Sequence, residues 1–386
     1  MKGPTLRRTV LGFAVVIFLA VNGAALHAEM ETPADTWGFA NYAIRTYWWG
    51  IVPTGGDFSV LCKGLQLVPG LDTILENDLG AGYEPDNYYR NPDGTLYWGP
   101  SGDGSPVIFS RLEILEGLGI RQGIVFDPER HRNLVEGFLF YRLHYDADFP
   151  VAGEPQLLFQ SALPDRNQVL SNSIILGVSA STLVKDDVHK AWNGLYEEAS
   201  FQWGPRFFFN AIGNTDFYRL NAKLKAFHTL YTAETAAGWN LFSLYVGDFL
   251  SVDYADGSSV PFWVQQSTGG LSPKTSTDDW VRGFETGSYG TVFKVVNSLD
   301  LRAQGPAVLW PSLVPGAYLF LDAGYYNGFI GDPAHTPGGV LMSTGLGGYL
   351  DFFDLANVTA YLAFPLIGSR VDGASIALSF HFNLNF

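Results

Sequence analysis

The sequence predicts an all-β fold, a transmembrane antiparallel β-barrel of about 16 strands with one extracellular loop folded into its lumen. The evidence is an N-terminal export signal, a strand-like alternation of apolar and polar residues, and an unusual composition. Aromatic residues make up 15% of the chain, charged residues only 16%, and there are 44 glycines. Ordinary soluble domains have about 25% charged residues, so we expect the outside of this fold to contact lipid.

The first residues are typical of a secretory signal peptide. Three basic residues precede an apolar stretch over residues 10–21, and small residues follow up to Ala28. This order predicts a cleaved signal peptide over 1–28, a short segment over 29–36 and a barrel over 37–386. The alternative is an uncleaved N-terminal anchor, but the apolar stretch is shorter than the ~18 residues that a membrane span needs.

Charge and cysteine content exclude two classes of protein. The formal net charge is −15, which disfavours nucleic-acid binding because phosphate contacts need clustered basic residues. Cys62 is the single cysteine, so no internal disulfide framework is possible. No stretch after residue 28 has the pattern of a transmembrane helix. The longest uncharged run, over 303–321, contains three prolines.

The alternation that marks strands is clearest in the second half of the chain. From residue 218 to 226, apolar residues alternate with polar ones, and the polar set includes Arg219, Lys223 and Lys225. Three cations on one face are costly toward lipid and tolerable toward a wet lumen. By the same alternation, Asp300 and Asp322 fall on lumen-facing positions of two later strands, and Asp248 is a polar misfit on an apolar face.

The first half gives weaker signals. We expect strands at Tyr42–Trp49, Glu136–Tyr145 and Ser173–Leu183, and a hairpin turn at residues 91–94. Residues 111–126 fit a strand or a helix equally well, since their periodicity does not decide.

The last residues form a strand with one apolar face. Every second residue from Ile376 onward is large and apolar, including Phe380, Phe382 and Phe386, and the residues between them are small or polar. An exposed final strand would be an unprotected edge. Pairing of this strand with the first one would remove the edge, and it would place Phe386 in an interfacial aromatic girdle.

Six short motifs occur in a fixed order toward the C-terminus. V-P-F at 260–262 and G-G at 269–270 precede the V-R-G-F segment, and three motifs follow it: N-S-L-D-L-R at 297–302, F-L-D-A-G at 320–324 and G-L-G-G-Y-L at 345–350. In this order they resemble the BamA–TamA superfamily of outer-membrane assembly and secretion barrels. No such resemblance is found over residues 37–195.

The resemblance implies a defined site. Val281, Arg282, Gly283 and Phe284 would form the tip of the long extracellular loop, and Arg282 would reach Asp300 and Asp322 on the lumen wall. A guanidinium suits this task because its planar fork can bind two carboxylates. The first acid is usually glutamate in the family, so we expect the shorter Asp300 to weaken or reposition that contact.

The resemblance also implies a function, the insertion or secretion of proteins at the outer membrane of a diderm bacterium. The implied partners are the lipid bilayer, unfolded client proteins and a separate periplasmic partner. Members of the family usually carry periplasmic POTRA domains before the barrel, whereas we expect this barrel to begin near Trp37. A plugged pore or structural barrel without insertase activity therefore stays open as the alternative.

We do not expect an enzyme. The sequence contains no H-E-x-x-H metal motif and no G-x-S-x-G nucleophile motif. Accordingly, no catalytic residue, metal or cofactor is predicted.

Overall fold

Fifteen strands are found among the residues that the computed structural model describes, which are 42–49, 55–88, 108–129, 132–150, 168–186, 188, 191–261, 264, 281–284, 293–308, 313–327, 339–352, 356–368 and 375–385. In chain order the strands are β1 Tyr42–Trp49, β2 Gly55–Leu65, β3 Thr73–Tyr88, β4 Ile108–Asp127, β5 Arg132–Pro150, β6 Gln168–Ser181, β7 Val184–Lys185, β8 Trp192–Gly204, β9 Asp216–Glu234, β10 Asn240–Ser259, β11 Phe293–Gln304, β12 Leu313–Asn327, β13 Gly339–Phe352, β14 Ala356–Ile367 and β15 Ser375–Asn385. Within these residues, no helix is long and apolar enough to cross a membrane.

Each of the fourteen long strands in the described ranges has two antiparallel neighbours. Consecutive strands pair along the chain, β6 pairs with β8 past the two-residue β7, and β1 pairs with β15. The last strand therefore has no free edge, and its backbone groups are paired on both sides. The predicted all-β antiparallel barrel fold is confirmed.

The predicted number of strands is not confirmed. The part of the chain with described structure contains fourteen long strands rather than 16. The prediction assumed about 20–22 residues for each strand with its connection. Here β4 and β10 have 20 residues each, and β5 and β9 have 19, so each strand uses more of the chain.

Predictions for single strands have mixed outcomes. β1 has the predicted bounds Tyr42–Trp49, and the undecided residues 111–126 lie within strand β4. β5 extends beyond the expected residues 136–145 at both ends. β6 begins before the expected residue 173 and ends before residue 183. The turn at 91–94, the signal peptide over 1–28 and the segment over 29–36 lie outside the described residues.

The two ends of the barrel differ in the length of their connections. β2–β3, β4–β5 and β9–β10 are joined by residues 66–72, 128–131 and 235–239. At the opposite end, β10 and β11 are joined by residues 260–292. Short periplasmic turns and longer extracellular loops are typical of outer-membrane barrels. We therefore assign the β10–β11 loop to the extracellular end.

The two faces of the sheet differ as the alternation predicts. Large apolar side chains are exposed on the outer face, for example Leu176, Leu319 and Leu346. Asp248 lies on this outer face of β10, where its Oδ1 accepts a 2.7 Å hydrogen bond from Asn297 Nδ2 of β11. The inner face carries the buried ionic side chains, including Asp300 and Asp322.

A cross-link can test the pairing of the first and last strands. Arg45 lies opposite Asn383 in the register of β1 and β15, and directly opposed residues are close enough for a disulfide. In a Cys62→Ser background, Arg45→Cys with Asn383→Cys should form a disulfide on mild oxidation. Arg45→Cys with His381→Cys, two residues out of register, serves as the control. Equal cross-linking of both pairs, or none in the first, would contradict this register.

Candidate functional site

The loop after β10 contacts the inner wall of the barrel at residues 281–284. Val281 and Phe284 are buried and pack against Val296 of β11 and Leu341 of β13. Both wall residues lie on the buried faces of their strands. The V-R-G-F segment therefore lies inside the barrel, against the wall that β11 to β13 form.

Arg282 binds both predicted carboxylates. Its Nε donates to Asp322 Oδ2 at 2.7 Å and its Nη2 to Asp322 Oδ1 at 2.6 Å, and its backbone N–H also donates to Asp322 Oδ2 at 2.9 Å. The same Nη2 donates to Asp300 Oδ1 at 2.6 Å. The structure thus brings Arg282, Asp300 and Asp322 together, and the shorter side chain of Asp300 still reaches the guanidinium.

A fourth residue, Arg302 of β11, completes the set. Its Nη2 and Nε donate to Asp300 Oδ2 at 2.7 and 3.1 Å. Asp322, Arg282, Asp300 and Arg302 therefore form a chain of alternating charges, which we call the ion cluster. Sequence reasoning missed the role of Arg302, although its position two residues after Asp300 put both on the same face.

Two aromatic rings cover the guanidinium groups of the ion cluster. The Cζ of Arg282 lies 3.8 Å from the ring centroid of Phe320, and the Cζ of Arg302 lies 5.5 Å from that of Tyr318. Cation–π contacts of this kind strengthen when the cation is removed from water. Phe320 is an apolar residue on a mostly polar face, which was the available signal for this role.

Glycines make room for the loop tip. Gly283 has a φ of 92°, a conformation that other residues rarely adopt. A Cβ at Gly283 would lie 3.0 Å from the Cβ of Ala363 on β14, and one at Gly324 would lie 2.6 Å from Cγ2 of Val281. The glycine of V-R-G-F and the glycine of F-L-D-A-G are therefore needed for close packing.

The pKa of Arg282 is raised above its ordinary value. Burial acts to lower it, but the hydrogen bonds and charges of Asp322 and Asp300 outweigh that effect. The guanidinium therefore stays charged throughout the physiological pH range.

A second ionic contact holds the start of the same loop. Lys294 Nζ donates to the carbonyl of Val264 at 3.0 Å and lies 3.3 Å from Asp253 Oδ2. Arg219 binds the same carboxylate through its Nε at 2.8 and 2.9 Å. Val264 is also buried against Phe217. The loop is thus attached to the wall near both residue 264 and residue 282.

The ion cluster is suited to holding a segment in place. Its two cations and two anions balance, and each charged group has a partner within hydrogen-bond distance. In the described part of the chain, no group of three or more His, Cys, Asp or Glu residues is placed to hold a metal ion.

The C-terminal strand supplies the other predicted positions. In the register, Phe380 pairs with Trp48 and Val358, and Phe382 pairs with Thr46 and Ala356. Phe386 lies outside the described residues.

Two solved structures of other proteins are similar to this chain. BamA from Haemophilus ducreyi lacking POTRA domains 1–3 matches with 13% sequence identity and a TM-score of 0.47, over 89% of this chain and 70% of that chain. CdiB from Escherichia coli matches with 10% identity and a TM-score of 0.52, over 92% of this chain and 64% of that chain. This chain therefore spans about two thirds of the length of each.

Comparisons of sequence alone find nothing. No protein-family model matches the chain, and no curated protein does. At identities near 10% the similarity concerns the fold. The chain has the fold of CdiB, an antiparallel barrel, in agreement with the fold that the sequence resemblance implied.

Proposed function

We propose that this protein is an outer-membrane barrel of the BamA–TamA superfamily that helps proteins to insert into, or cross, the outer membrane of a diderm bacterium. The observation that carries the proposal is the binding of Arg282, at the centre of V-R-G-F, to Asp300 and Asp322 inside the barrel. Motif, position and partners agree with what the resemblance implies. The proposed activity involves no covalent step, and the barrel works without a catalytic residue or cofactor.

The proposed mechanism uses the pairing of β1 with β15 as a seam. This pairing runs from Ala43–Asn385 to Trp48–Phe380, and it is the shortest one between long strands in the described residues. Opening it breaks fewer backbone hydrogen bonds than opening another pairing would. Since unpaired strand edges are costly in lipid, the open seam would accept a strand of an unfolded client protein.

The β10–β11 loop, which Arg282 attaches to the wall, has a role in this mechanism. The ion cluster joins the loop tip to β11 and β12, and Gly283 packs beside Ala363 and Pro365 of β14, the neighbour of β15. The loop tip thereby braces the wall next to the seam. We propose that this wall stays rigid while β1 and β15 separate, and that a separately encoded periplasmic partner delivers the client.

A second candidate function is a plugged pore or structural barrel without insertase activity. It is favoured by the charge balance of the ion cluster and by the firm attachment of the loop at Val264 and Arg282. Both features suit a permanent plug.

Removal of the Arg282 side chain tests whether the ion cluster holds the loop inside the barrel. Arg282→Ala leaves two buried carboxylates with one cation fewer, a change that costs about 3–5 kcal/mol for a buried pair. We expect the loop to become sensitive to protease in folded protein, while the barrel keeps its heat-modifiable migration on gels. Arg206→Ala, an exposed arginine in another loop, is the control. Unchanged loop protection in Arg282→Ala would show that the cluster does not hold the loop.

Client insertion tests the activity. The rate at which an unfolded client barrel inserts into liposomes should rise when this protein is present at an equal protein-to-lipid ratio. The Arg45→Cys with Asn383→Cys disulfide should abolish the rise, because the seam cannot open, and reduction should restore it. Arg282→Ala should lower the rate in the same assay.

Absence of any acceleration by correctly folded protein would favour the plugged pore over an insertase that acts alone. Repeating the assay with candidate periplasmic proteins would then decide whether a partner is required. Acceleration that persists in the oxidised disulfide variant would contradict the seam mechanism.

A further inference from the structure

The β8–β9 loop, residues 205–215, lies on the outer face of the barrel at the extracellular end. Phe208 makes an edge-to-face contact with Tyr141, with ring centroids 6.0 Å apart. Phe207 does the same with Trp203, at 5.7 Å. Tyr141 and Trp203 lie on outward-facing positions of β5 and β8, since the alternate residues Phe138 and Gln202 are buried. We call residues 205–215 the aromatic loop.

The aromatic loop is held by a buried pair of asparagines. Asn210 is fully buried, and its Nδ2 donates to the carbonyls of Asn172 and Pro205 at 3.1 and 2.9 Å. Its Oδ1 accepts from the backbone N–H of Asn172 at 2.5 Å. Asn172 Nδ2 also donates to the carbonyl of Phe209 at 3.2 Å. These hydrogen bonds attach the loop to Asn172 of β6 and so define the loop's backbone conformation.

That shape is costly. Phe209 has a φ of 59°, in the left-handed region that bulky residues seldom occupy. Strained backbone persists only where surrounding contacts over-determine it, and it concentrates at functional positions. Here the contacts of Asn172 and Asn210 hold the strained residue, and the result is a phenyl ring turned away from the protein.

The outcome is a cluster of exposed aromatic rings. Phe207 is 76% exposed and Phe209 80%, the two highest values among the large apolar residues described. Trp203 and Phe201, on the adjoining outer face of β8, are 44% and 38% exposed. Arg206, also exposed, lies beside them. Aromatic rings with a nearby cation suit the boundary between acyl chains and anionic headgroups.

The position of the loop on the barrel adds a second argument. β8 is six strand pairings from β1 and seven from β15, so the aromatic loop lies on the wall opposite the seam. Its rings continue the apolar outer face of β5, β6 and β8, on which Leu139 and Leu176 are exposed. That face contacts lipid in a barrel of this class. Because the exposed rings extend the same surface, lipid is the partner that would cover them.

We propose that the aromatic loop is a membrane anchor, in which Phe207 and Phe209 insert into the outer leaflet and fix the barrel wall opposite the seam. Anchoring there leaves the lipid beside β1 and β15 free to rearrange. Only this last consequence rests on the proposed insertase function. The insertion of the two rings into lipid stands independently of that function.

Spin labels can measure the depth of the two rings. In a Cys62→Ser background, single variants Phe207→Cys and Phe209→Cys are labelled in the full chain and reconstituted in vesicles of phosphatidylethanolamine and phosphatidylglycerol. Collision rates with oxygen, which partitions into lipid, and with a water-soluble nickel chelate report depth. Leu176→Cys on the outer wall is the lipid control, and Ala236→Cys in the exposed β9–β10 turn is the water control.

The anchor requires oxygen-to-nickel ratios at 207 and 209 that exceed the Ala236 label severalfold and lie between it and the Leu176 label, or reach the latter. Ratios equal to that of Ala236 would overturn the proposal, because the rings would then lie in water. Low accessibility to both reagents would also overturn it, since the rings would be covered by protein, such as a second copy of the chain. If Phe209→Cys does not fold, Phe207→Cys alone decides. The test does not depend on client insertion, so failure of either proposal can be recognised separately.

Discussion

The burial of the ion cluster is the constraint on which the rest of the structure depends. Removing a charge from water costs several kcal/mol, so a buried arginine is tolerable only where carboxylates meet it in good geometry. Arg282 meets this condition with Asp322 on β12 and with Asp300 on β11. Both acids must therefore face inward at matching heights, which fixes the orientation of their strands. Arg302 supplies the second cation and leaves the cluster without net charge.

The same constraint links the loop to the barrel wall. The V-R-G-F segment packs closely against the ion cluster and the glycines beside it. On the inner side of the wall, the loop therefore contacts β11, β12 and β14. The short pairing of β1 with β15 lies at one side of this braced wall. At the far side of the barrel, the aromatic loop is held by Asn172 and Asn210. The molecule thus combines a braced wall, a weakly paired seam and a proposed lipid anchor opposite to it.

Sequence patterns predict the barrel fold and three residues of the ion cluster, but not the contacts that depend on the tertiary structure. Alternation assigned Asp300 and Asp322 to the inner face, and the order of motifs joined them to Arg282, because both signals are local. The contact of Arg302 with Asp300 joins two residues on the same face of one strand, so a local signal for it existed. The contact of Phe320 with the Arg282 guanidinium depends on where the loop tip meets the wall, which no local pattern contains. The predicted number of about 16 strands is not confirmed, because that number depends on strand length, which is set by barrel geometry and not by a local pattern. The buried pair Asn172 and Asn210, which holds the aromatic loop, joins residues 38 positions apart and has no periodic signature.

A double-mutant cycle between Arg282 and Asp322 tests the central claim most directly. Unfolding free energies would be measured in urea for the parent protein, Arg282→Ala, Asp322→Ala and the double variant, all folded in the same lipid vesicles. If the ion pair between these two side chains holds the loop, the double variant should lose less unfolding free energy than the sum of the losses in the two single variants. We expect a coupling energy of about 1–3 kcal/mol. Additive losses would contradict the account, because the loop would then be held in the barrel by something other than this ion pair.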